Sequence, residues 1–227
     1  MKINFLTLFP KYFEPFISES IINKAILKKL LEINVVDFRN FSTNKHRKVD
    51  DEIYGGGHGL LLQVEPIDLA LQSLKNQGGY KVLVSPQGKV FNQQLAQELS
   101  KKEQITFICG RYEGFDERVI ELVDIELSIG DYVLTGGELP AMVMADSISR
   151  LINGVINEQS HQHDSFQGIG LLDYPQYTRP REYKGMKVPE VLFNGNHSEI
   201  QKWKNQAQWE KTLKNRPDII ERIKHEK

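Results

Sequence analysis

Apolar residues along this chain fall into short runs of two kinds. Residues 3–8, 33–38, 80–84 and 105–109 are near-continuous apolar stretches, and 124–127 is a shorter one; such runs predict buried strands. Between them, Ile21, Ile22, Ala25, Ile26 and Leu30 recur at helical spacing, as do Phe115, Val119, Ile120 and Val123. Residues 66–74, 91–99 and 139–152 also read as helices, and the last is apolar nearly all round, which predicts full burial. Strands alternating with helices predict an α/β domain with a parallel sheet and crossover connections. The alternation stops near Gly154. Residues 157–170 are polar and lack a period, as in a linker. Beyond Pro189 helical spacing returns, with Ile200, Trp203 and Ala207 on one face and Trp209 and Leu213 on another. Asn196, three residues before Glu199, predicts a capping box. The division expected is an α/β body over 1–156, a flexible linker over 157–175 and a small all-α domain over 176–227.

Two strand-like runs end in glycine-bearing loops. Residues 105–109 lead into Gly110-Arg111-Tyr112-Glu113-Gly114, and 124–127 lead into a segment running from Ser128 to Pro140. Loops at the carboxyl ends of parallel strands are where α/β sheets bind ligands. Neither the G-x-G-x-x-G fingerprint nor the P-loop pattern is present, so a small molecule is held by another arrangement. A third segment, 45–59, is charged at Lys45-His46-Arg47-Lys48 and ends in Gly55-Gly56-Gly57-His58-Gly59; long loops of this kind are functional or solvated.

The formal net charge of −1 conceals an asymmetry: residues 1–175 carry −6 and residues 176–227 carry +5. A basic tail on an acidic body suggests a polyanionic partner, or simply a solvated lysine-rich face. No run of apolar residues is long enough to span a bilayer, and residues 1–10 read as a first strand rather than a signal peptide. The single cysteine, Cys109, permits no internal disulfide and suits a reducing, cytoplasmic setting. At the end of a strand it reads as core rather than nucleophile. His161, His163 and Asp164 are too close in sequence to make a persuasive zinc set. Arg150 stands four residues after Asp146, the spacing of an ordinary helical ion pair.

Taken in order, Leu6-Thr7-Leu8-Phe9-Pro10, Lys45-His46-Arg47, Tyr54-Gly55-Gly56-Gly57, Ser85-Pro86-Gln87-Gly88, Gly110 to Val119, Ile129 to Pro140, Asp164-Ser165-Phe166 and Gly170 to Pro180 form a pattern that resembles the bacterial tRNA (guanine-N1)-methyltransferases over essentially the whole chain. Ile53 and His58 stand where that pattern has proline. The resemblance implies a SPOUT-type parallel sheet with a trefoil knot, and a homodimer with its active sites at the interface. It also implies methyl transfer from S-adenosylmethionine to N1 of the guanosine at tRNA position 37, next to the anticodon, with dependence on Mg2+. By the same resemblance, Leu83, Val84, Ser85, Pro86, Gly110, Tyr112, Gly114, Ser128, Ile129, Gly130, Tyr132, Val133, Leu134, Gly136, Gly137 and Pro140 hold the methyl donor through their backbone. Asp164 is the implied base, Arg150 the cation opposite guanine O6, and Glu113 a third catalytic group. Glu113 and Asp164 are implied around the metal, with Asp173 a weaker third. Asp50, Tyr54, Gly55, Gly56, Asp173, Arg179 and His197 are implied contacts to the tRNA. The competing readings are a non-catalytic RNA- or nucleotide-binding regulator and a knotted methyltransferase with another RNA site. Binding alone needs no base, so the joint presence of Asp164, Arg150 and Glu113 disfavours the first.

Overall fold

The computed structural model describes residues 1–157 and 164–225, and it divides into two compact units, Met1–Ile156 and Asn157–Lys227. His161 and His163 lie outside the described residues.

The first unit is built on a five-stranded sheet. Its strands in chain order are β1 (Lys2–Thr7), β2 (Glu32–Asp37), β5 (Tyr80–Val90), β6 (Gln104–Cys109) and β7 (Ile125–Ser128), arranged β2-β1-β6-β5-β7. Every pairing is parallel. Helices α1 (Glu14–Ser18), α2 (Ser20–Leu27), α3 (Val64–Ser73), α4 (Gln93–Leu99) and α5 (Glu138–Ser149) accompany it. A hairpin of β3 (Asp50–Glu52) and β4 (Leu60–Leu62) lies between β2 and α3. Both faces of the sheet are covered, which is why its strands read as unbroken apolar runs. Alternate side chains divide between two cores. Ile3, Phe5, Val82, Val84, Ile105 and Phe107 pack with Leu95, Leu99, Met144 and Ile148 of α4 and α5. Leu6, Leu83 and Ile108 pack with Ile67, Ala70 and Leu71 of α3 on the other side. In the central strand β6 all residues are buried.

Three expectations for this unit need correction. The strand expected over 80–84 does not end there: β5 makes an excursion at 85–88, then resumes pairing, with Lys89 opposite Leu127 and Val90 opposite Ser128. Sequence punctuation by Pro86 and Gly88 marked the excursion and hid the resumption. The helix expected around 115–123 is a 3-10 segment, Glu117–Leu122, capped by the Asp116 side chain accepting from the Arg118 N–H at 2.9 Å. Helix α5 is not wholly buried, because Leu139 and Val143 on one face are 51% and 49% exposed.

The second unit holds α6 (His197–Asn215) and α7 (Pro217–His225). It is not all-α: β8 (Glu182–Tyr183) and β9 (Met186–Lys187) form a small antiparallel hairpin, too short to show as an apolar run. Asn196 caps α6 as expected, accepting from the N–H groups of Ser198 and Glu199. The reciprocal arm of the box is missing, since Asn196 N–H donates to Asn194 and Glu199 accepts from the Asn194 amide. Ala207 of α6 is buried, as are Leu171, Ile219 and Ile220, whereas Trp209 and Leu213 are exposed. Part of the segment expected as a linker is tied into this unit: Phe166 N–H donates to Leu171 O at 2.8 Å, and Leu172 N–H to the Thr212 hydroxyl at 3.0 Å.

Candidate active site

A cavity of about 360 Å³ opens at the excursion of β5 and the carboxyl ends of β6 and β7. Its walls are the excursion of β5, the loop after β6 and the loop between β7 and α5. Fifteen of the residues expected to hold a ligand line it: Leu83, Val84, Ser85, Pro86, Gly110, Tyr112, Gly114, Ser128, Ile129, Tyr132, Val133, Leu134, Gly136, Gly137 and Pro140. The sixteenth, Gly130, packs beneath the Tyr132 ring, where an added Cβ would stand 2.7 Å from Cε1. The Ser128 hydroxyl shapes that turn, donating to Gly130 O at 3.0 Å and accepting from Gly130 N–H at 3.1 Å.

Close passage of two chain segments explains one glycine in particular. A Cβ on Gly137 would lie 2.7 Å from Gly110 N and 2.9 Å from Cys109 Cα, both backbone atoms of the β6 end. Gly137 N–H donates to Gly110 O at 2.9 Å, so the loop entering α5 is laid directly on the loop leaving β6.

The end of segment 45–59 and the strand β4 that follows it pack against the loop after β6. Glu113 N–H donates to Leu60 O, Leu62 N–H to Gly114 O and Asp116 N–H to Leu62 O at 3.2, 2.9 and 2.9 Å. Glu113 lines the cavity with its side chain folded over Gly59, where a Cβ would meet Glu113 Cγ at 2.4 Å. Gly59 has φ +86°, so its conformation and its crowding both favour glycine. Farther along that loop, Tyr54 is almost fully exposed and Gly55 and Gly56 have open space around them. Asp50 opens β3. Lys48 is held by Asp51 at 3.0 Å, which raises the lysine pKa and lowers that of the carboxylate.

Several lining residues were not singled out from sequence: Gln87 and Arg111 within the expected loops, and Phe115, Asp116, Glu117 and Glu126 outside them. Arg111 is the most consequential. Its guanidinium pairs with Glu138 at 3.0 Å, donates to Thr135 O at 3.1 Å and lies over the Phe9 ring at 4.3 Å. Burial works against the Arg111 charge, but the neighbouring Tyr12 and the paired Glu138 outweigh it and raise the pKa. The Glu138 carboxylate also accepts from the buried Thr7 hydroxyl at 2.7 Å. The only early signal was a charged residue between Gly110 and Tyr112; nothing local pointed to Glu138 or Thr7. Asp116, held by two hydrogen bonds from the Arg118 side chain, has a lowered pKa. Cys109 is fully buried, and burial, followed by the nearby Glu138 charge, pushes its thiol well above the ordinary value. It is core, as read from sequence.

Other expected residues stand apart from the cavity lining. Arg150 is the C-cap of α5, whose opposite end carries Gly137 and Pro140. Asp164, Asp173, Arg179 and His197 belong to the second unit. There Asp173 accepts from the Gln176 amide at 2.7 Å, and Arg179 and His197 are exposed. Among the described residues no three His, Cys, Asp or Glu side chains come together as a metal-binding group. No helix among them is long and apolar enough to cross a membrane.

Residues 1–222 match the family described as tRNA (Guanine-1)-methyltransferase TrmD. A protein of Mycoplasmopsis agalactiae named tRNA (guanine-N(1)-)-methyltransferase is 76% identical over 227 residues, covering all of both chains. Proteins of the same name from Mycoplasmopsis pulmonis and Mesomycoplasma hyopneumoniae are 64% identical over the whole of both chains and 52% identical over 98% of this chain and 97% of theirs. The chain therefore belongs to the tRNA (guanine-1)-methyltransferase family.

Proposed function

We propose that the chain transfers the methyl group of S-adenosylmethionine to N1 of the guanosine at tRNA position 37, and that the cavity at the β5 excursion and the ends of β6 and β7 receives the methyl donor. The observation that carries this reading is the convergence of three separate glycine-bearing segments on one cavity of about 360 Å³. That size suits a cofactor-sized ligand. Backbone-rich walls replace the helix N-terminus of a phosphate-binding fold, which suits a nucleoside without phosphates. Calorimetric titration with S-adenosylmethionine tests it: saturable one-to-one uptake, abolished by filling the cavity through Gly136→Leu, is expected, and no uptake by the unaltered chain refutes it.

A trefoil knot is part of the proposal. It is supported by the resumption of β5 beside β7 after its excursion, and by the passage of Gly137 against Gly110 on the way to α5. A homodimer is supported by two features of α5. Its exposed Leu139 and Val143 form an apolar stripe. Arg150 ends a helix of 12 residues, about 18 Å from the cavity end, so a second copy is better placed to supply it.

Neutral guanine carries a proton on N1, so that proton must leave as the N1–methyl bond forms and the sulfonium carbon bond breaks. Asp164 accepts the proton in this reading. Charge that develops on O6 is met by Arg150. Glu113 and Asp164 are the residues proposed to hold Mg2+, since a carboxylate offers hard oxygen of the kind that ion prefers. Such an ion would supply positive charge to the reaction. The basic second unit grips the anticodon stem, with Arg179, Arg181, Lys184, Lys187, Lys202 and Lys204 as backbone contacts, and Asp50, Tyr54, Gly55, Gly56, Asp173 and His197 complete the tRNA surface. Of these, Arg181 lies on the Phe193 ring at 4.4 Å and Lys204 on the Tyr174 ring at 4.6 Å, so their charges are held in place by aromatic faces. A cytoplasmic location follows from the substrate.

A further inference from the structure

We propose that the buried Arg111–Glu138 ion pair is a positioning element that sets the spacing of the two loops walling the cavity, and so acts on affinity for the methyl donor rather than on the methyl-transfer step. This inference rests on reading the cavity as the S-adenosylmethionine site.

The pair braces two segments that otherwise meet at one backbone hydrogen bond, Gly137 N–H to Gly110 O at 2.9 Å. Arg111 sits in the loop after β6, and Glu138 in the first turn of α5. Their side chains are only 14% and 1% exposed, and they meet at 3.0 Å. The second carboxylate oxygen takes the hydroxyl of Thr7, at the end of β1 and itself fully buried. One carboxylate thus ties together the ends of β1 and β6 and the start of α5. The guanidinium plane is fixed on its other sides by Thr135 O and the Phe9 ring. Gly136 lies against it so closely that a Cβ there would stand 2.4 Å from Arg111 Nε and 2.7 Å from Glu138 Oε2. Gly110, Tyr112, Thr135, Gly136 and Gly137, the immediate neighbours of the pair, all line the cavity.

A buried ion pair contributes little net stability, since desolvation offsets its attraction, but it is directional. An apolar pair would fill the same space without fixing the angle between the loops. Glu138 stands in the first turn of α5, where a negative charge is favoured, so the pair is also complementary to the helix end. Stability and positioning are therefore separable. Removing one partner strands a buried charge and damages both; removing both relieves the stranded charge but leaves the loops without their strut.

The test compares the unaltered chain with Arg111→Met, Arg111→Met/Glu138→Met, Arg111→Lys and Glu138→Gln by thermal denaturation, S-adenosylmethionine titration and steady-state methylation of tRNA. The single Met variant is expected to melt lower and to bind the donor at least tenfold more weakly. The double variant is expected to regain most of the melting temperature while its donor affinity stays at least tenfold down. At saturating donor its kcat stays within threefold of the unaltered enzyme, so the defect appears in KM for S-adenosylmethionine. Arg111→Lys keeps the charge without the fork and should recover part of the affinity. Donor affinity that recovers in step with melting temperature, or that is unchanged in the double variant, overturns the proposal. If the Met variants do not fold, an unchanged KM for the donor in both Arg111→Lys and Glu138→Gln overturns it equally. Failure of the unaltered chain to bind the donor refutes the cavity reading instead.

Discussion

Gly137→Ala is the smallest change that interrogates how the cavity is built. The added methyl would sit 2.7 Å from Gly110 N and 2.9 Å from Cys109 Cα, about 0.7 Å inside ordinary contact for the nearer atom. Neither atom can retreat cheaply, because β6 is the middle strand of the sheet and buried along its length. Overpacking of this kind costs about 1–3 kcal/mol. The Gly137 N–H to Gly110 O bond is strained at the same time, adding about 1 kcal/mol. The expected loss is about 2–4 kcal/mol, which for a unit of this size lowers the melting temperature by roughly 4–16 °C. Because Gly137 lines the cavity, donor affinity should fall with it. Gly56→Ala supplies the contrast: its φ of +84° makes alanine cost about 1–2 kcal/mol in backbone strain, yet no atom is within 4 Å and donor affinity should not move. Denaturation by heat and calorimetric titration read both effects. A Gly137→Ala protein that melts and binds like the unaltered chain would refute the close passage of the two loops.

Asp164→Ala should lower methyl transfer about 10²–10⁴-fold, the usual contribution of a general base, with donor binding retained; turnover within tenfold would assign the proton to another group. Removing residues 176–227 should weaken tRNA binding and leave S-adenosylmethionine uptake intact, as filter binding and calorimetry would show; undiminished tRNA affinity sinks the role given to the basic unit. The Asp116 carboxylate is held below its ordinary pKa of 3.8, chiefly by the Arg118 hydrogen bonds, so its contribution is fully present above that value and disappears as pH falls through the lowered pKa. Asp116→Asn should therefore cost less than about 1 kcal/mol in denaturant titrations near pH 7, and the gap to the unaltered chain should narrow in strong acid; a gap that widens there contradicts the pairing. Cys109, buried and with a raised pKa, should resist alkylation by iodoacetamide at pH 8 until the protein is unfolded, as mass spectrometry would report.

Local chemistry was legible wherever the physics is local. The strands of the sheet could be read because both faces are buried, and the Asn196 cap because capping is settled within three residues. The cavity-lining loops were marked by glycines whose surroundings now account for them. What could not be read is what depends on distant partners. The excursion of β5 looks like a strand end, since nothing at Lys89 or Val90 announces renewed pairing with β7. The exposed face of α5 looks like core, because Leu139 and Val143 are as apolar as the residues that are buried. The Arg111–Glu138–Thr7 cluster joins residues far apart in sequence, so no spacing rule finds it. A knotted path is likewise invisible to periodicity, and general experience argues against it; only the resemblance raised it.

The central claim is the reaction itself. Incubating the purified chain with S-adenosylmethionine, Mg2+ and unmodified tRNA bearing guanosine at position 37, then locating the added methyl group by mass spectrometry of nuclease fragments, tests it most directly. The account predicts N1-methylguanosine at position 37 and nowhere else. Methylation at another nucleotide or another guanine atom, or none while the donor is bound, would contradict it.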